Sequence, residues 1–180
     1  MQRLNAFVPF ALAAVLLLSP AGCNRKQSKA QSDATIEESP SLLSMVQVAD
    51  PKASAQLVKG FYNVEGNSWR WTMGKFSVLL SPPVNSSKNG AKLALRFVIP
   101  DPVIKKLASV KLSASVDGIA LPEETYSTPG EHVYAQDVPA QALGKGVVTV
   151  DFALDKYLPP SEADQRELGV VVTVVGFEPR

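Results

Sequence analysis

Few residues of this 180-residue chain could perform acid–base or nucleophilic chemistry. It has one histidine, His132, and one cysteine, Cys23, and no Gly-x-Ser-x-Gly motif supplies a nucleophilic serine. Two carboxylates could hydrolyse a glycosidic bond, but no local pattern selects a pair. The candidates are Glu65, Asp151, Asp155 and Asp164. We therefore predict no catalytic residue and no enzymatic activity, with a hydrolase as the least favoured alternative.

A metal site would need His132 to combine with nearby carboxylates. Side chains alternate between the two faces of a strand, so Glu131 and Asp137 both point away from His132. Glu123 and Glu124 could only join from the preceding loop. The sequence predicts no metal and no cofactor, with His132 facing solvent beside Tyr134.

Both tryptophans lie in one short stretch, GNSWRWTMGKF, from Gly66 to Phe76. Residues two apart share a strand face, so Trp69 and Trp71 lie side by side if the strand has begun at Trp69. If the turn extends through Trp69, the pair splits. We predict Trp71 as a core anchor, because a buried tryptophan removes a large apolar area from water. Trp69 is either core or rim, and it is a candidate ligand-binding residue together with Tyr62.

Charged residues flank these tryptophans on the opposite strand face. Arg70 points away from Trp69 and Trp71, and Glu65 could reach it across the tight EGNSWR hairpin. A two-pronged arginine–carboxylate pair fixes geometry well. We predict Glu65 and Arg70 as a structural clasp.

The N-terminal segment has the features of a secretory signal. Arg3 precedes an apolar run that is too short for a membrane anchor helix. The sequence LSPAGC resembles the bacterial lipobox, matching it at Ala21, Gly22 and Cys23 and departing from it at Pro20. That resemblance implies cleavage before Cys23 and its acylation, and more than one acyl chain gives stable anchoring. The alternative is an ordinary signal peptide that happens to precede a cysteine. Asn24 favours the outer membrane, facing the periplasm.

The remaining chain divides into a spacer, a short intermediate segment and one domain. Residues 24–41 are polar, and we predict a disordered tether there. For residues 42–59 we predict a short helix or a docking segment. Asp50 would be the helix cap and Pro51 the first helical residue, and LLSMVQV before them is either a short strand or a docking segment.

From residue 60 to 180 the sequence predicts an all-β domain. Apolar and polar residues alternate in AKLALRFVI, VKLSASV and VVTVDFAL, as half-buried strands require. Asp117-Gly118 is a two-residue hairpin signal, and the prolines lie between the apolar runs. About eight strands at this spacing, with residues 69–73 and 76–80 as two separate strands, predict an antiparallel two-sheet β-sandwich, of the jelly-roll or immunoglobulin-like kind.

One stretch resembles a known type of module. GFYNVEGNSWRWTMGKFSVLL is similar to β-sandwich modules of bacterial cell-surface and polysaccharide-related proteins, through Gly60, Phe61, Tyr62, Glu65 and the Arg70-Trp71-Thr72 run. The resemblance covers about residues 60–176, including Arg166 before the last strand. It implies a jelly roll that binds carbohydrate and supplies no catalytic residues.

Composition excludes some partners. The formal net charge is +1, and the charges balance once residues 1–22 are removed, so nucleic acid is not an expected partner. We predict a membrane-anchored envelope lipoprotein with a non-catalytic sandwich that binds glycan or supports polysaccharide assembly. The alternative is a protein-interaction subunit of an envelope complex.

Overall fold

The computed structural model describes residues 42–180, and the predicted signal peptide (1–22), Cys23 and the predicted tether (24–41) lie outside them. Within the described range the structure has ten strands. They are β1 (Met45–Gln47), β2 (Leu57–Glu65), β3 (Trp69–Leu80), β4 (Ala91–Ile99), β5 (Val110–Val116), β6 (Ile119–Ala120), β7 (Glu124–Tyr126), β8 (Gly130–Val138), β9 (Val148–Leu154) and β10 (Val171–Pro179). The helices are short: α1 (Ser86–Asn89), α2 (Asp101–Leu107) and two 3-10 helices, Pro51–Gln56 and Ala140–Leu143.

All strand pairs are antiparallel, and the main path runs β6-β5-β9-β3-β10-β4-β8. Strand β3 belongs to two layers. Its first residues, Arg70 and Trp71, pair with β10, whereas Lys75–Leu80 pair with β9. The predicted all-β class and antiparallel sandwich are therefore confirmed, with one strand common to both layers.

The two layers meet across an apolar core. The rings of Tyr134 on β8 and Phe152 on β9 lie 6.5 Å apart, and those of Phe97 on β4 and Tyr126 on β7 lie 5.1 Å apart, both edge to face. Such pairs join residues of opposite layers. The predicted alternation holds along β5, where every second residue from Val110 to Val116 is buried.

A segment between β9 and β10 closes the gap where β3 changes partners. Thr72 donates its backbone N–H to the carbonyl of Val170 (2.9 Å), and Gly169 donates to the carbonyl of Thr72 (2.7 Å). Two residues after Thr72, the backbone N–H of Gly74 donates to a carboxylate oxygen of Glu167 (2.6 Å). We call Thr72–Gly74 together with Glu167–Val170 the seam. Its bonds satisfy backbone groups that would otherwise be buried without partners.

Residues 42–59 begin the sandwich. Strand β1 pairs with β10, and the Asp50 side chain accepts a hydrogen bond from the N–H of Lys52 (2.9 Å) at the start of the 3-10 helix, whose first residue is Pro51. That helix ends at Gln56, and β2 starts at Leu57. The side-chain amide of Gln56 bonds Leu43 and Leu79, which joins this segment to β3.

Two differences from the sequence prediction have simple causes. Residues 69–73 and 76–80, predicted as separate strands, form the single strand β3, because Gly74 continues the extended chain under Tyr157. Helix α2 is the second difference, since only strands were predicted for this domain. It follows Pro100, and its second residue is Pro102, which is compatible with the first turn of a helix. No helix within residues 42–180 has the length and apolar character needed to span a membrane.

Candidate functional site

A groove of about 510 Å³ lies on the outer face of the layer formed by β2, β3, β9 and β5. This face is opposite the core, since alternate residues of the same strands, such as Phe76 and Val150, are buried. Small and polar side chains dominate the lining. They are Lys59, Lys75, Ser77, Ser113, Ser115, Ala120, Glu123, Asp151 and Ala153. We call this the polar groove.

The strand register builds the floor of the polar groove as a row of paired residues, regular from β3 to β5 and with register shifts on both sides of Lys59 in β2. Lys59 lies opposite Ser77, Ser77 opposite Asp151 and Asp151 opposite Ser115. Directly paired residues share a face with their Cβ atoms roughly 5 Å apart. Four adjacent strands therefore present an ammonium, a hydroxyl, a carboxylate and a second hydroxyl in order.

A second, shallower row runs beside the first. Lys75 lies opposite Ala153, and Ala153 opposite Ser113. The Ser113 hydroxyl donates to the carbonyl of Ala153 (3.2 Å), and the Ser77 hydroxyl donates to Asp151 (2.5 Å). These bonds orient the hydroxyls. Ser77 is largely buried, whereas Asp151 is exposed and its second carboxylate oxygen stays available to a ligand.

The far wall of the groove carries an ion pair. Lys111 and Glu123 lie 2.8 Å apart. The hydrogen bond to Glu123, helped by its charge, raises the pKa of Lys111. Glu123 is therefore neutralised by a neighbour within the fold.

Arg166 forms a second polar cluster at the end of the β2–β3 hairpin. Its guanidinium binds Glu65 (2.5 Å) and Asp164 (2.9 Å) and lies 5.2 Å from the centre of the Tyr62 ring. The hydrogen bonds from Arg166 lower the pKa of Asp164, and both carboxylates raise the pKa of Arg166. The general acid of a glycosidase needs a raised pKa. The pKa of Asp164 is shifted in the opposite direction, which is unfavourable for that role.

The predicted clasp between Glu65 and Arg70 is corrected by these contacts. Glu65 binds Arg166, and Arg70 turns toward the main chain instead. The Arg70 guanidinium donates to the carbonyls of Val48 (2.6 Å) and Tyr62 (2.9 Å). The alternation of side chains correctly placed Arg70 on the strand face away from Trp69. On that face its guanidinium meets the carbonyls of Val48 and Tyr62 instead of the Glu65 carboxylate.

The two tryptophans lie on one strand face. Strand β3 begins at Trp69, which pairs with Glu65, so the strand already runs at that residue. Both rings are half-buried. Trp71 packs against the core cluster, and the Trp69 ring lies so close to Gly66 that a Cβ atom there would come within 2.2 Å of it. The proposed ligand-binding role of Trp69 and Tyr62 stays a prediction.

The remaining candidates lie apart from one another. Asp155 accepts from the N–H of Lys111 (2.6 Å), and Asp151 lies in the polar groove. His132 is half-buried beside Tyr126 and Phe97 rather than facing solvent, and its Nε2 lies 2.9 Å from the carbonyl oxygen of Thr128. Among residues 42–180, no three His, Cys, Asp or Glu side chains group closely enough to hold a metal ion.

Sequence reasoning did not identify the polar groove. Its local signal was present, since Ser113 and Ser115 alternate with buried residues along β5. Asp151 alternates in the same way along β9. The pairing of these strands is non-local, so the shared surface could not be derived from either segment alone.

No protein-family model matches the chain, and a search of curated proteins finds no significant match. Solved structures with some similarity include the CBM36-1 domain of a multidomain xylanase from the hindgut metagenome of Trinervitermes trinervoides, at 11% identity and a TM-score of 0.41, over 76% of this chain and 96% of that one. Another is CBM51-2 with INT domains from Clostridium perfringens ZmpB, in complex with GlcNAc, at 14% identity and a TM-score of 0.37, over 75% of this chain and 27% of that one. A CBM4 structure gives 10% identity and a TM-score of 0.34, over 80% and 90%. Values this low carry no argument about what this chain binds.

Proposed function

We propose that this chain is a lipid-anchored, non-catalytic module of the cell envelope that binds glycan in the polar groove. The observation that supports it most directly is the row from Lys59 through Ser77 and Asp151 to Ser115. It places donors and acceptors in alternation across four strands. A sugar carries a hydroxyl on almost every carbon, and each one that leaves water needs a new partner.

The shape of the groove agrees with this ligand class. Its volume of about 510 Å³ falls within the range of small-molecule sites, roughly 300–1,000 Å³. It lies on regular strands, so its polar groups are held in place before a ligand binds, which lowers the entropic cost of binding. A groove open along a sheet surface suits an extended chain of sugars.

The anchoring part of the proposal rests on the sequence. Acylation of Cys23 would hold the domain at the membrane, with residues 24–41 as spacer, and Asn24 favours the outer membrane facing the periplasm. Mass spectrometry of the mature N-terminus tests it directly. A diacylglyceryl-modified Cys23 supports the proposal, and an unmodified cysteine or uncleaved signal contradicts it. Density-gradient separation of the two membranes then tests the location.

A protein-interaction subunit of an envelope complex is the alternative. It would be favoured by a contiguous exposed apolar surface. The exposed large apolar residues of the described range instead lie on separate elements, such as Val58 on β2, Val84 before α1 and Val133 on β8. Isolated exposed residues of this kind are normal for a soluble surface.

A glycan array probed with the purified full chain tests the proposed function. We expect retention of at least one oligosaccharide class, and its loss in Asp151→Asn and Ser115→Ala, since both remove groups from the floor of the groove. Asp101→Asn on α2, an exposed aspartate away from the groove, is the matched control and should bind as the unaltered chain does.

Tyr62→Ala and Trp69→Ala belong in the same experiment. If these two variants lose binding while Asp151→Asn retains it, the ligand lies on the aromatic residues and the polar groove is the wrong site. If no glycan is retained but specific envelope proteins co-purify with the full chain, the alternative function replaces the proposed one.

A further inference from the structure

The two lysines of the polar groove lie at the same end of it. Lys59 is opposite Ser77 on the neighbouring strand, and Lys75 precedes Ser77 by two residues, so all three share the outer face. Lys59 and Lys75 thus lie on the paired strands β2 and β3 and line the same groove, next to a shift in the register of these strands. Both side chains are exposed.

The charges of the groove do not balance. Within residues 42–180, Lys59, Lys75 and Asp151 form no ion pair, whereas Glu123 at the opposite wall is neutralised by Lys111. Two positive charges therefore face one carboxylate, that of Asp151, which accepts the Ser77 hydroxyl. The β2–β3 end of the groove therefore carries the excess positive charge.

Two neighbouring like charges repel each other, and a bound anion removes that cost. An ammonium group attracts a carboxylate or phosphate as a point charge and does not demand a fixed direction of approach. Ser77 lies opposite Lys59 and two residues after Lys75, so its hydroxyl belongs to the same end of the groove.

We infer that the glycan is acidic, with an anionic group of one sugar held between Lys59 and Lys75 and its hydroxyls directed along Ser77, Asp151 and Ser115. This inference rests on the proposed glycan-binding function and adds the class of sugar. Neutral glycans bind the same floor without using the lysine end.

Tetragalacturonic acid and its fully methyl-esterified form are the probes, because they share a backbone and differ in charge. Titration of the full chain at low ionic strength should show tighter binding of the acid than of the ester. The preference should weaken as salt is added, since exposed charges are screened. Mannose 6-phosphate against mannose is the corresponding phosphate test.

Lys59→Gln and Lys75→Gln should each weaken binding of the acid by up to roughly fivefold, the upper end of the range for exposed ion pairs. Binding of the ester should be unchanged in both. Lys92→Gln on β4, an exposed lysine outside the groove, is the control and should leave both ligands unaffected.

The possible failures are distinct. Equal affinity for the charged and neutral members of both pairs, or a preference for the charged member that survives both lysine substitutions, overturns the inference and leaves glycan binding standing. Preference for the phosphate pair alone identifies phosphate as the anion. If the chain binds neither the charged nor the neutral form of either pair, and no glycan on the array, the proposed function itself is contradicted.

Discussion

Nη1 of Arg166 lies 2.5 Å from Oε1 of Glu65, and this contact joins two segments that are 101 residues apart in the chain. Asp164 and the ring of Tyr62 complete the surroundings of the guanidinium. Arg166 thereby fastens the segment between β9 and β10 to the β2–β3 hairpin, next to the seam.

A double-mutant cycle should detect this pair. We expect a coupling free energy of about 0.2–1 kcal/mol between Glu65→Gln and Arg166→Gln, because both side chains are partly exposed. The same cycle with Glu65→Gln and Arg70→Gln should give a value near zero, since Arg70 binds main-chain carbonyls. Urea denaturation of the single and double variants measures both. Coupling to Arg70 instead of Arg166 would restore the clasp predicted from the sequence.

The seam requires glycine at position 169. A Cβ atom there would lie 2.6 Å from the carbonyl oxygen of Met73, 2.7 Å from Oγ1 of Thr72 and 2.8 Å from Leu154. Because two of these neighbours are fixed by the seam, we expect Gly169→Ala to lower the free energy of unfolding by about 1–3 kcal/mol. Gly144→Ala, where the added carbon meets nothing within 4 Å, should change it little. Equal effects at the two positions would show that the seam is not tightly packed.

Gly74 offers a related test with a built-in rescue. A Cβ atom at Gly74 would lie 2.2 Å from the ring of Tyr157. Gly74→Ala should therefore destabilise the protein, and the added substitution Tyr157→Ala should restore part of the loss. Thermal unfolding of the single and double variants measures the rescue. Absence of any rescue would mean that the strand backbone, rather than the tyrosine ring, limits the space at this position.

Alkaline pH should destabilise the core through Tyr134. Burial, followed by the charge of Glu124, raises the pKa of Tyr134 to about 12, against about 10 in an unfolded chain. The raised value means that the protonated form stabilises the fold fully below pH 10, and that this contribution is lost as pH rises toward 12. We expect the free energy of unfolding, measured with urea, to fall steeply over that interval.

Tyr134→Phe should reduce the slope of this pH dependence, although it also removes the hydrogen bond to the carbonyl of Pro122 and so lowers stability at neutral pH. Val150→Ala, a core substitution without an ionisable group, should lower stability and leave the slope as it is. Burial also raises the pKa of Tyr126, so a residual slope in Tyr134→Phe is expected. An unchanged slope would argue against ionisation of Tyr134 as the cause.

Acid should weaken the hairpin at Asp117. Its carboxylate accepts from the N–H of Thr149 (2.9 Å) and pairs with Lys145 (2.9 Å), and both contacts lower its pKa. A lowered value means that the contribution is present above the ordinary pKa of about 3.9 and is lost as pH falls below it. Asp117→Asn keeps a residue that tolerates the positive φ of 46° and removes the charge.

We expect Asp117→Asn to cost about 1 kcal/mol at pH 7. The difference from the unaltered chain should shrink in acid, once the pH has fallen through the lowered pKa of Asp117 and the aspartate is itself protonated. Circular dichroism during urea unfolding at the two pH values measures the gap. A gap of the same size at both values would assign the effect to the turn conformation rather than to charge.

The sequence predicted the strands whose residues alternate and the apolar run that forms β10, but it did not predict β7. AKLALRFVI and VKLSASV became β4 and β5, and Asp117-Gly118 forms the expected two-residue turn between β5 and β6, with positive φ at both residues. Strand β1 has three residues and β7 also has three, which is too short for periodicity to emerge. Which strands lie side by side depends on contacts far apart in sequence, so the polar groove and the partner of Glu65 emerged only from the three-dimensional arrangement.

The shared strand β3 has a consequence for how the domain can be engineered. New chain ends introduced within Trp69–Leu80 would separate the two layers, because that strand hydrogen-bonds to β10 with one half and to β9 with the other. The connection around Val84, which is 89% exposed, imposes no such constraint. Circular permutants opened at Val84 should keep both layers in one cooperative unit, with amide protons of β4 and β9 exchanging with solvent at similar rates.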